Sequence, residues 1–179
     1  MIVDPSLRIL RLRFTYLLIV MLLVLFQTMP IHTAIDQSAM PDIPLVITFV
    51  WVMRRPDVMG PILITIAFLF ADMILQRPPG LWTLIALCAS MFLRSRTIYF
   101  KEVIFFYEWL MIAIVVIICF TAHQFLLLLT FLPTHNLVLL VKQAFFTIML
   151  YPIFIWLSRS MLRFVLYKKL EKHMPKARQ

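Results

Sequence analysis

The 179-residue chain contains 2 glycines, 2 cysteines and only 14% charged residues. Gly60 and Gly80 leave no room for a phosphate-cradling loop, a GxGxxG dinucleotide turn or a GxSxG nucleophile elbow. Without a GxxxG face, helix contacts must rely on Ala, Ser and Thr. Cys88 and Cys119 lack CxxC spacing and read as buried small apolar residues. His32, His123, His135 and His173 have no paired-ligand spacing, so neither a metal nor a cofactor is indicated. An enzyme is not expected.

Apolar residues fill the gap, at 63% of the chain with a mean hydropathy of +0.97. Soluble domains carry about 45–50% apolar residues, and a fold of this size hides only about 70% of its unfolded surface. The surplus needs lipid as its solvent. That excludes a soluble enzyme, a disordered scaffold, a disulfide-rich secreted module and a DNA-binding domain.

The expected fold is an all-α integral membrane protein of six transmembrane helices. These fall at about 14–29, 41–53, 58–76, 81–94, 102–130 and 137–157, with a basic leader at 1–13 and a basic tail at 158–179. Pro30 to Pro44, Arg54–Asp57, Gln76–Gly80, Arg94–Glu102 and Pro133–Asn136 separate them by proline, glycine or charge. Two apolar runs, Ile43–Met53 and Leu81–Leu93, are short, about 16 and 20 Å as helices. Val103–Leu132 is too long for one straight crossing, so its end projects, tilts or kinks.

With both termini cytoplasmic, 15 of the 17 Lys and Arg residues fall on the inner side. Only Arg77 sits in an outer loop, and Lys142 lies within a span. This is the positive-inside pattern, so the net charge of +9 orients the chain and no nucleic-acid partner is expected. Arg54, Arg55, Arg159, Arg163, Lys168 and Lys169 are expected at anionic headgroups, with Ser158–His173 continuing the sixth helix. Tyr107, Trp109 and Trp156 suit an inner interfacial belt and Trp82 an outer one.

Ionisable groups inside spans are functional candidates by default. Asp72, Lys142, His123, Gln124 and Gln143 fall in the outer half, and Glu108 near the inner end. Depth alone pairs Asp72 with Lys142, with His123 or Gln143 filling spare hydrogen bonds. Such a pair could fix helix register, dock a partner, or relay a proton or ion. Glu108 reads as a solvated or Lys101-paired carboxylate.

Pro41-Asp42-Ile43-Pro44, Trp51-Val52-Met53-Arg54-Arg55-Pro56 and Phe70-Ala71-Asp72-Met73-Ile74-Leu75-Gln76-Arg77-Pro78-Pro79-Gly80-Leu81-Trp82 resemble the bacterial rod shape-determining MreD family, in its alphaproteobacterial form. The most specific element is Ala-Asp followed by Pro-Pro-Gly-Leu-Trp; the family has more glycine around the third span. The resemblance implies a non-enzymatic inner-membrane scaffold for lateral peptidoglycan synthesis. Its implied partner is an MreC-like single-span periplasmic protein. Through that protein it would reach MreB-like filaments, a RodA-type glycosyltransferase and a class B penicillin-binding transpeptidase. Asp72 matches the family's acidic position and Gly80 its outer-loop glycine, with Pro79 beside it. The implied fold is like that of the substrate-binding subunits of energy-coupling vitamin transporters. A small-ligand-binding transporter subunit is therefore the rival reading, and Asp72, His123, Gln124 and Lys142 would permit it.

Overall fold

The structure is a computed structural model that describes residues 5–28, 40–97, 105–131 and 136–173. It contains six α-helices, and no strand occurs among the described residues. They are α1 (Pro5–Thr28), α2 (Ile43–Arg54), α3 (Pro61–Ile74), α4 (Leu81–Arg96), α5 (Phe105–Leu129) and α6 (Leu137–His173). Three contain segments long and apolar enough to cross a membrane: Leu7–Thr28, Phe106–Leu129 and Leu137–Leu157. Ile43–Arg54 and Pro61–Ile74 are shorter apolar helices. The helix expected from residue 14 starts at Pro5, which makes much of the basic leader helical. Helix α6 runs without a break past residue 157 to His173.

Local chemistry sets the helix ends. The Asp42 carboxylate accepts from the Leu45 N–H, capping α2, and Pro44 follows inside the first turn. Pro61 opens α3 behind an extended Gly60. That helix closes with Gln76 in the left-handed region, φ +54°, while the Arg77 N–H returns to the Asp72 carbonyl at 3.0 Å. This six-to-one bond satisfies a carbonyl at the helix end. Gly80, at φ +88°, supplies the left-handed turn into α4, a conformation costly for any residue with a Cβ. Asn136 caps α6 by accepting from the Val138 N–H.

Helix α2 lies at the centre. It packs on α1, α4 and α6, while α1–α3, α3–α4, α4–α5 and α5–α6 form the surrounding contacts. Its residues Pro44 through Val50 are all buried, two turns with no solvent-facing side. At 12 residues it is about 18 Å long, so its sheath of longer helices, rather than its own length, places it. Small residues make the tight contacts, with Ala67, Ala71, Ala86, Ala144, Thr48, Ser90 and Thr147 buried. The bundle exterior is apolar: Phe14, Leu22 and Leu25 on α1, Ile62 and Met73 on α3, Ile118 and Phe125 on α5, and Phe145 on α6 are exposed.

Cys119 is buried as expected, but Cys88 faces outward on α4. Trp156 and Tyr107 are exposed, in keeping with an interfacial position. Trp82 is not: it is 2% exposed, packed against Phe120 and His123 of α5 with the Arg77 guanidinium 5.5 Å from its ring. A bulky ring at the start of a short helix finds cover from the longer α5 beside it.

Candidate functional site

The buried charges form two ion-paired nodes, one at each end of α2, with Asp72 beside the first. Asp42 is 3% exposed. One carboxylate oxygen caps α2, and the other accepts from Arg77 Nη1 at 3.0 Å. The Asp42 N–H donates to Thr147 Oγ1 of α6 at 3.1 Å, and Gln27 Nε2 of α1 donates to the neighbouring Pro41 carbonyl. One residue thus ties α2, α6 and the α3–α4 turn together. Sequence reasoning assigned Asp42 no role of its own. The Asp-x-Pro spacing at 42–44 was the available signal, since it marks a helix start whose cap must face the bundle.

Asp72 is fully buried. Its Oδ2 accepts from the Gly80 N–H at 3.1 Å, the Thr83 N–H at 3.2 Å and the Thr83 hydroxyl at 2.8 Å. Its other oxygen, Oδ1, is buried with no hydrogen bond. A carboxylate facing the open N–H groups of a helix start is favoured by hydrogen bonding and by the helix dipole. Asp72 therefore caps α4 from α3. The expected pairing with Lys142 is not among these bonds, because the turn brings α4 amides to Asp72. Pro79 is exposed in that turn. The Ala-Asp…Pro-Pro-Gly-Leu-Trp stretch is accordingly a helix–turn–helix unit closed on itself.

At the opposite end of α2, Glu108 is 3% exposed, not solvated. Arg54 Nη2 reaches both its oxygens, at 3.1 and 3.0 Å, and the Tyr151 hydroxyl donates to Oε1 at 2.9 Å. Lys101, the partner expected from sequence, lies outside the described residues. Arg54 is therefore engaged inside the bundle rather than offered to headgroups, whereas Arg55 is half-buried. Sequence reasoning put Glu108 near the start of the fifth helix, where it lies, but could not reveal that α2 ends beside it. The side chains of Arg159, Arg163, Lys168 and Lys169 also lie outside the description.

His123 packs edge-on against Trp82, with ring centroids 5.0 Å apart. Gln124 and Gln143 are half-buried and Lys142 is exposed. Among the described residues, no group of three or more His, Cys, Asp or Glu could hold a metal ion. The arrangement fastens helices to one another, using buried charge as the fastener. No family model, curated protein or solved structure matches the chain.

Proposed function

We propose that this protein is a non-enzymatic scaffold of the bacterial cytoplasmic membrane. Like the MreD family it resembles, it would bind an MreC-like single-span protein and help maintain rod shape through lateral peptidoglycan synthesis. It would cross the membrane six times with both termini in the cytoplasm. Links to MreB-like filaments, a RodA-type glycosyltransferase and a class B transpeptidase would run through that partner, with anionic lipids at the basic surface.

The observation that carries the reading is the segment from Phe70 to Trp82, where the resemblance is most specific. Its Asp72 and Gly80, with Thr83 directly after it, form one hydrogen-bonded unit. Two further features support it. Asp42, Glu108, Arg54 and Arg77 bind other parts of the bundle, which gives it the fixed shape a scaffold needs. The ends of α1, α2 and α4 that carry Arg8, Arg11, Arg13, Arg54, Arg94 and Arg96 are the ends the positive-inside rule assigns to the cytoplasm.

Depleting the protein in its own host tests the reading. Rods that round up and are rescued by the wild-type gene are the expected result. Rods that keep their shape while uptake of a small vitamin-like ligand fails would favour the transporter subunit instead.

A further inference from the structure

The exposed apolar stripes of the helices differ in height. On α3 the stripe runs from Ile62 through Ile66 and Leu69 to Met73, about 17 Å of helix. On α1 the part free of arginine runs from Phe14 to Phe26, about 18 Å. On α5 the stripe extends from Phe106 to Leu129, about 35 Å, and on α6 from Leu137 to Leu157, about 30 Å, interrupted by Lys142. Bilayer hydrocarbon is about 30 Å thick, so α5 and α6 reach across it while α1 and α3 fall short by about 12 Å. Helices α1 and α3 adjoin, as do α5 and α6, so the two heights belong to two faces of the bundle.

The shortfall lies on one side. Toward the arginine-rich ends the helices are tied together. Arg13 Nε of α1 donates to the Val58 carbonyl between α2 and α3, and Arg54 of α2 reaches Glu108 in the first turn of α5. At the other side, Gln27 of α1 donates to the Pro41 carbonyl, the Asp42 N–H to Thr147, and Arg77 to the Asp42 carboxylate. These bonds gather the end of α1, the start of α2 and the α3–α4 turn beside Thr147. From there back to Leu137, α6 continues for about 15 Å.

A flat bilayer satisfies one face or the other. At full thickness, the exposed Gln76 and the Arg77–Asp42 pair would lie in hydrocarbon, where polar and charged groups are costly. Thinned everywhere, the bilayer would leave Leu137, Val138 and Val141 in water. Tilting the bundle as a body shortens every stripe together and keeps the difference. The helices are cross-tied at Asp42 and Glu108, so the lipid is the softer component and adapts.

We infer that the α1–α3 face holds a locally thinned bilayer. There the leaflet away from the arginine-rich ends is drawn down to the level of Gln76 and Arg77, while the α5–α6 face keeps full thickness. The partner of the short face is therefore lipid, with its headgroups beside that turn. This rests on the reading that all six helices lie in the membrane, and it needs no particular protein partner.

A spin-labelled amino acid in place of Met73 on α3, or of Phe145 on α6, tests it in vesicles of dioleoyl phosphatidylcholine and phosphatidylglycerol. Both positions are more than half exposed, and both lie within about a turn of residues bonded to Asp42, Arg77 and Thr147. Depth below the lipid phosphates is read from collisions with oxygen against collisions with a water-soluble nickel chelate. The expected result is a Met73 label about 10 Å shallower than the Phe145 label, the gap narrowing in shorter dimyristoleoyl lipids. Equal depths within the hydrocarbon, or a gap unchanged in the shorter lipids, would overturn the thinning and leave the membrane crossing intact. Labels in water at both positions would overturn the thinning and the six-crossing reading together.

Discussion

The indole N–H of Trp109 donates to the carbonyl oxygen of Ile148 at 3.3 Å, and Ile148 is four residues before Pro152, the proline inside α6. Proline has no N–H to return to that carbonyl, so α6 would carry an unsatisfied acceptor inside the bundle. Trp109 supplies the missing donor from α5. One residue earlier in α5, Glu108 accepts from Tyr151, one residue before the proline. The start of α5 thus holds α6 over the turn that leads into the proline.

Trp109→Phe should lower stability by about 1–2 kcal/mol, since it keeps the ring but strands a carbonyl. Pro152→Ala restores a backbone donor, so Trp109→Phe in that background should cost much less. Unfolding midpoints of the four proteins in mild detergent measure the coupling. Equal losses in both backgrounds would separate Trp109 from the proline.

Glu108→Ala should destabilise by about 3–5 kcal/mol, because it leaves the Arg54 guanidinium without its counter-charge in a largely buried setting. Replacing both members, Arg54→Met with Glu108→Leu, should recover most of the loss. Thermal aggregation followed by fluorescence-detected gel filtration reads both outcomes.

Asp72→Asn should be tolerated far better than Asp72→Ala. The amide oxygen can occupy the place of Oδ2 and keep accepting from Gly80 and Thr83, while the NH2 takes the site of the unbonded Oδ1. The alanine strands those donors at about 1–3 kcal/mol. Lys142→Met, at an exposed position of α6, should cost less than Asp72→Ala. An equal, large loss from Lys142→Met and Asp72→Ala would revive a register-fixing pair between them.

Gly80→Ala should cost about 1–2 kcal/mol, since its φ of +88° rather than its surroundings demands glycine; nothing lies within 4 Å of where a Cβ would stand. Pro79→Ala, in an exposed position of the same turn, should change little. The two melting temperatures provide the comparison.

Much of the helical plan was legible because proline, glycine and charge punctuate the apolar runs. Pro61, Leu81 and Leu137 begin or lie at the starts of helices, close to the breaks that sequence marks. The start of α1 was not legible, because Arg8, Arg11 and Arg13 obscured a helix that continues through them. Residue depth brought Asp72 and Lys142 to one half of the membrane, but depth carries no azimuth. Which face a helix turns inward decided that Asp72 meets Thr83 and that Glu108 meets Arg54. The Arg77–Asp42 bond joins residues 35 apart, and no local pattern encodes such a contact.

The proposed role of this bundle is that of a scaffold for the cell-wall elongation machinery. Affinity purification of the tagged protein from its own membranes in mild detergent, followed by mass spectrometry, tests it most directly. Stoichiometric recovery of a single-span periplasmic coiled-coil protein together with cell-wall synthases is the predicted result. Recovery of paired ATPases and a large transport subunit, with no cell-wall protein, would contradict it.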